Sequence, residues 1–145
     1  MLLPCQPADP GPLVRRLLDA HLVPPPAQTV SEWADANLVL PSGGPEPGRW
    51  RTARTPYLKR PMDLCSAHEP TERIGLLFGA QTAKTALELA VMLYRIAHAP
   101  TPMMFFAPSE RPMLERFIRQ RFDPTVAATE CVRELLARPT RGPDG

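Results

Sequence analysis

The chain has 145 residues, with 17 basic and 15 acidic side chains and a net charge of +2. That is long enough for one domain with a modest core, and too evenly charged to indicate nucleic acid on electrostatics alone. Hydrophobic residues make up 43% and charged residues 22%, an ordinary globular balance, and no apolar run approaches the roughly 18 residues that a bilayer span requires.

Arginine supplies nearly all the basic charge, with Lys59 and Lys84 the only lysines. The 20 prolines cluster at 4–12, 24–26, 41–47 and 139–143. Such clusters read as linkers and turns, because proline fixes φ and has no amide donor. Cys5, Cys65 and Cys131 are odd in number and far apart, so neither a disulfide framework nor a zinc site is indicated. A reducing, cytoplasmic setting fits that usage. Pro4 directly follows Leu2 and Leu3, which leaves no apolar core for a signal peptide.

Residues 1–28 form a Pro-rich, partly disordered segment, in which residues 12–22 carry a helix pattern with Leu13, Leu17 and Leu18 on one face. Residues 29–70 read as a helical segment. A helix begins at Thr29 or Ser31, both good caps, and includes Trp33. A Pro/Gly loop follows over 41–49. A further helix starts at Pro56, where a missing amide costs nothing, and runs to about Ser66. Trp33 and Trp50 suit core or docking positions better than contacts to nucleic acid.

Residues 71–137 are the most patterned part. Residues 73–78 are a continuously apolar strand candidate, residues 85–98 a helix apolar around most of its girth, and residues 103–107 a second apolar strand candidate. Ser109 is placed to cap a helix through about Arg121, and residues 125–137 make a final helix. Strand, helix, strand is a parallel βαβ unit with a right-handed crossover, so the fold class is α/β. Residues 138–145 read as a disordered tail.

Between the first strand candidate and its helix lie Gly79, Ala80, Gln81, Thr82, Ala83, Lys84 and Thr85. Strand, tight loop with Lys-Thr, then helix is the context of a nucleotide phosphate-binding loop. Backbone amides there face the phosphates and the helix adds its positive end. Lys84 would reach the β- and γ-phosphates and the Thr85 hydroxyl would hold Mg²⁺. The regular pattern is Gly-x-x-x-x-Gly-Lys followed by Ser or Thr, and Phe78 and Ala83 occupy its two glycine positions. Ala83 costs little or about 1 kcal/mol depending on its φ, which sequence does not fix. A plain strand-to-helix turn with an exposed lysine fits the same residues.

The longer pattern resembles the lambda-type phage terminase large subunit, the GpA family of DNA-packaging ATPases, over roughly residues 27–126. Residues 29–34 with 38–41, residues 47–52 with 54–58 and 61–63, the loop 79–85, residues 104–108 and residues 121–124 carry the likeness in order. The resemblance implies the N-terminal part of the ATPase domain, a partial P-loop NTPase with a Walker A loop. It implies ATP and Mg²⁺ as ligands, with residues 79–85 as the nucleotide contact and Tyr57 near the adenine. A first-turn packing role suits Tyr57 equally well. Gln81 would donate to phosphate or face water. By the same resemblance the partners are double-stranded DNA, the small terminase subunit and the portal or procapsid, in the host cytoplasm, with an oligomer compatible.

Hydrolysis also needs a carboxylate pair at the end of a further strand. Asp123, Glu130, Glu134 and Asp144 do not follow strand-like runs, so none suits that role. The chain therefore reads as a truncated packaging ATPase with a nucleotide half-site. The alternative is a non-catalytic prophage relic that binds DNA or the small subunit. A small P-loop nucleotide kinase would show a lid and a substrate-binding arginine set, and nothing marks either. His21, His68 and His98 are scattered. Arg111, Arg116, Arg119 and Arg121 suit the wet face of a helix or DNA phosphates.

Overall fold

A computed structural model describes residues 11–22, 27–42 and 46–136. The expectations for residues 1–10, for the proline run 24–26 and for the tail 138–145 lie outside the described residues. Helix α1 spans Gly11–Leu22, with Val14 and Leu18 about half exposed.

Helix α2, Val30–Asn37, starts where a reciprocal cap fixes it. The Thr29 Oγ1 accepts from the Glu32 amide at 3.3 Å, and the Thr29 amide donates to Glu32 Oε2 at 3.0 Å. This capping box satisfies two amides that a helix start would otherwise leave open. The helix stops at Leu38, which turns extended and is fully buried. Strands β1 (Val39–Leu40) and β2 (Gly48–Arg49) then pair antiparallel, Val39 opposite Arg49 and Leu40 opposite Gly48. Gly48 sits at φ +104°, a backbone state that side chains rarely adopt.

After a short turn at Thr52–Arg54, helix α3 spans Pro56–Leu64 with Pro56 in its first turn. Leu58 and Met62, one turn apart, are fully buried. Two side-chain bonds tie α3 and the turn after it to α2. The Ser66 hydroxyl accepts from the Val30 amide at 3.0 Å, and the Ser31 hydroxyl donates to Asp63 Oδ1 at 2.5 Å.

Helix α4, Lys84–Ala97, is the central element. Leu87, Leu89, Ala90, Leu93 and Tyr94 are buried, matching the wide apolar girth expected from sequence. The Tyr94 hydroxyl donates to the Gln28 carbonyl at 3.0 Å and accepts from the Ala67 amide at 3.3 Å. Its ring meets Trp33 edge-on at 6.1 Å. Arg95 Nη2 donates to the Cys65 carbonyl at 2.9 Å. Burial holds the Cys65 thiol above its ordinary value, with the Arg95 charge opposing. The core therefore joins α2, α3, α4 and Val132 of the last helix.

The segment from 109 onward departs from the sequence expectation in detail. Ser109 makes no side-chain cap, and Arg111 has extended φ and ψ inside the first turn. A wide π-type turn over Glu110–Leu114 leads into α5 (Glu115–Phe117), a second such turn over Ile118–Phe122, then α6 (Asp123–Ala128). Pro124 explains the second widening, because it offers no amide to the preceding turn and its ring crowds the carbonyl there. The last expected helix is split at Thr129, which is extended, so α7 covers Glu130–Leu136. The buried Thr129 hydroxyl accepts from the Val39 amide at 3.3 Å, which fixes this break against β1.

Residues 71–79 and 101–107 are not in paired strands, and β1–β2 is the sheet among the described residues. Leu77 is 100% exposed, Phe106 82% and Met104 79%. An apolar run becomes a strand only with a neighbour to take its amides and carbonyls. The described residues supply none beside either run.

Candidate functional site

The loop 79–83 is held by its own carbonyl groups. The Gly79 carbonyl accepts from the Thr82 hydroxyl at 3.0 Å and from Lys84 Nζ at 2.6 Å. Lys84 Nζ also donates to the Phe78 carbonyl at 3.3 Å. An ammonium has three donors, so one remains for a ligand. Gln81 and Ala83 both sit at φ +56°, while Thr82 between them does not. Alternation of left-handed and ordinary backbone is how a loop turns successive amides toward one point, a concavity suited to anions.

The strain falls where the sequence left the question open. Ala83 precedes α4 at φ +56° and ψ +26°, squarely left-handed. A Cβ there costs about 1 kcal/mol or more. Gly79, by contrast, is not in a positive-φ state, and a Cβ there would meet only the Thr82 methyl at 3.9 Å. Glycine at 79 is thus not required by the backbone of this structure.

A cavity of about 720 Å³ opens beside the loop. Residues Gln81, Thr82, Ala83, Lys84 and Thr85 line it, and so does Tyr57. Gly79 and Ala80 belong to the same loop without lining the cavity. The structure therefore brings Tyr57 to the loop residue Gln81, 24 positions later in sequence, as α3 and α4 pack together. The Tyr57 ring is 50% exposed and meets Phe78 edge-on at 6.2 Å. It is not sealed in the core.

Several lining residues escaped the sequence reading. Trp50 lines the cavity while being almost wholly buried, its indole Nε1 donating to Thr52 Oγ1 at 3.0 Å. Thr55 lines it too, and its Oγ1 is buried with no hydrogen-bond partner. Glu46 is the carboxylate among the lining residues, and it pairs with Arg54 at 3.2 Å on the surface. Arg121 and Thr125 complete the wall from the helical segment after residue 117. A sequence signal for Arg121 exists: no acidic residue lies three or four positions away on either side, so a helical ion pair is not its partner.

The chemistry of this donor set fits a phosphate ester. It offers two cations, hydroxyls at Thr82 and Thr85, a loop of turned amides and the start of a 14-residue helix. It does not offer a preformed metal cage. Among the described residues, no group of three or more His, Cys, Asp or Glu side chains converges. Mg²⁺ commonly reaches such a site with one or two protein oxygens and the substrate's phosphates, for which Thr85 suffices as the protein oxygen. One turn into α4, the Glu88 carboxyl is pushed above its ordinary value by partial burial, and the Lys84 charge pulls it partway back.

Comparison with known proteins assigns this arrangement a family. The family model described as phage terminase large subunit gpA, ATPase domain, matches residues 44–144. The chain is 28% identical over 115 residues to the terminase large subunit of Enterobacteria phage P21. That alignment covers 79% of this chain and 17% of the relative, so the chain spans about a sixth of that protein's length. No solved structure matches. Among the described residues, no helix is long and apolar enough to cross a membrane.

Proposed function

Because the chain belongs to the phage terminase large subunit gpA ATPase-domain family, we propose that it carries the nucleotide-binding part of a viral DNA-packaging motor. The observation that carries the reading is the cavity shared by Tyr57 and the Lys84 loop at the start of α4. ATP is the ligand. Gly79 through Thr85 cradle its phosphates with backbone amides, and Lys84 offers its remaining donor to them. Thr85 supplies the protein oxygen for Mg²⁺, which neutralises phosphate charge when bound. Tyr57 lies against the base.

The fold that suits this role is a P-loop NTPase, with residues 73–78 and 103–107 as parallel strands of a larger sheet. Both runs are apolar and flank α4 in the order that a βαβ unit requires. The role proposed with it is packaging of double-stranded DNA, with the small terminase subunit and the portal as partners in the host cytoplasm, and family membership supports that reading.

A second reading has its own support. Glu46 is the one carboxylate lining the cavity among the described residues, and Arg54 already engages it. Activation of water in phosphoryl transfer needs a carboxylate or equivalent near the metal. The chain then binds nucleotide without turning it over, and serves DNA or the small subunit as a binding module.

Titration of the purified chain with a fluorescent ATP analogue, with and without Mg²⁺, tests the first reading. Saturable binding that weakens at least about tenfold in Lys84→Ala is the expected result, given the strength of charge-assisted hydrogen bonds. A folded chain with no ATP binding would overturn it. Phosphate release measured on the same samples separates the two readings: none is expected from the binding module.

A further inference from the structure

We infer that Arg121 is a second cationic contact for the phosphates of a nucleotide held at the Lys84 loop. The inference rests on the nucleotide-binding reading and adds to it a residue from a different part of the chain. Lys84 and Arg121 are the cationic residues among those lining the cavity. They reach it from opposite ends of the sequence pattern, Lys84 from the start of α4 and Arg121 from the wide turn before α6.

Two neighbouring arginines behave differently. Arg119 pairs with Glu115 at 2.9 Å, and Arg111 approaches the same carboxylate at 3.9 Å; neither lines the cavity. Arg121 makes no ion pair among the described residues, and it lines the cavity with Thr125. The backbone that carries it is pinned there. The buried Thr125 hydroxyl donates to the Arg121 carbonyl at 2.6 Å, and the whole segment packs through Phe122 and Val126 onto the core. A held backbone with a free guanidinium is suited to a ligand that arrives with negative charge.

The choice of ligand follows from charge. Lys84 already has two of its three donors on the Phe78 and Gly79 carbonyls. One remaining donor is little for a triphosphate. A guanidinium brings five donors in a planar fork that matches phosphate oxygens two at a time. DNA phosphate is the competing source of the same chemistry, and the cavity wall favours the nucleotide because the aromatic Tyr57 shares it.

The test compares ATP, adenosine and duplex DNA as probes against the full chain, its Arg121→Gln and Arg121→Lys variants, and Lys84→Ala. Arg121→Gln is expected to weaken ATP about tenfold, leave adenosine and DNA unchanged, and keep the thermal midpoint of the parent. Arg121→Lys restores part of the ATP affinity, since charge is kept and the fork is lost. Unchanged ATP affinity in Arg121→Gln, alongside a loss in Lys84→Ala, overturns the inference and leaves the nucleotide reading standing. Loss of DNA binding with ATP untouched overturns it in favour of a DNA contact. No ATP binding by the folded parent overturns both.

Discussion

The helices α2, α3 and α4 and the two apolar runs at 71–79 and 101–107 all carry large apolar side chains, yet most of these side chains meet different fates. In the helices, Val30, Leu58, Met62, Leu93 and Tyr94 are all buried to 1% exposure or less. In the runs, Leu77 stands wholly in solvent, and Met104 and Phe106 nearly so. The difference is one of self-sufficiency. A helix satisfies its backbone internally and needs only a partner for one face. A strand must borrow its hydrogen bonds from a neighbour, so apolar side chains alone leave it unplaced.

The largest effect that tests this contrast is a pair of truncations. Leu93→Ala should cost about 2–5 kcal/mol, as a cavity opens in a filled core. Leu77→Ala should cost less than about 0.5 kcal/mol, the usual range for an exposed site. Urea denaturation of both variants measures the gap, and similar losses would mean that residues 71–79 are packed after all. A middle-sized effect lies at the junction of the two regions. Ala83→Gly should stabilise the chain by about 1 kcal/mol, because the left-handed residue before α4 then carries no Cβ. The same denaturation series reads it, and a loss of stability would contradict the left-handed assignment. The smallest effect concerns the ion pairs around Glu115. They are largely exposed, so Glu115→Gln should change stability by about 0.5 kcal/mol or less, and less again at high salt.

What the sequence made legible follows the same division. Thr29 as a cap, Pro56 as a first-turn residue and the wide apolar girth of α4 are local facts, and each is found in the structure. Trp33 and Trp50 are buried, as their size suggested. The helix expected from Ser109 was less legible, because Pro112 and Pro124 interrupt the amide ladder at intervals that a hydrophobic stripe conceals. Thr129 broke the last helix for a reason no local window contains, namely a bond to Val39 some 90 positions away. In the site, the loop and Tyr57 were named from motif and resemblance. Arg121 was read as a helix-surface or DNA-phosphate residue and Trp50 as a core or docking residue, and neither they nor Thr55 were assigned to this site, since only the packing of distant segments puts them on one wall.

One consequence concerns the grip of Lys84 on the Phe78 and Gly79 carbonyls. Its backbone belongs to a helix anchored in the core, while the carbonyls belong to the end of a run that the described residues leave unpaired. The ammonium therefore ties a core helix to the end of an unpaired run. Whatever draws the lysine away removes one tie on the end of that run, beside the Thr82 hydroxyl on Gly79 and the packing of Phe78, and whatever clamps the run alters the hold on the lysine. Thermodynamic linkage makes the two effects equal in free energy. A ligand that draws Lys84 off these carbonyls and a neighbour strand at residues 71–79 would thus sense each other, through one side chain and two carbonyl oxygens.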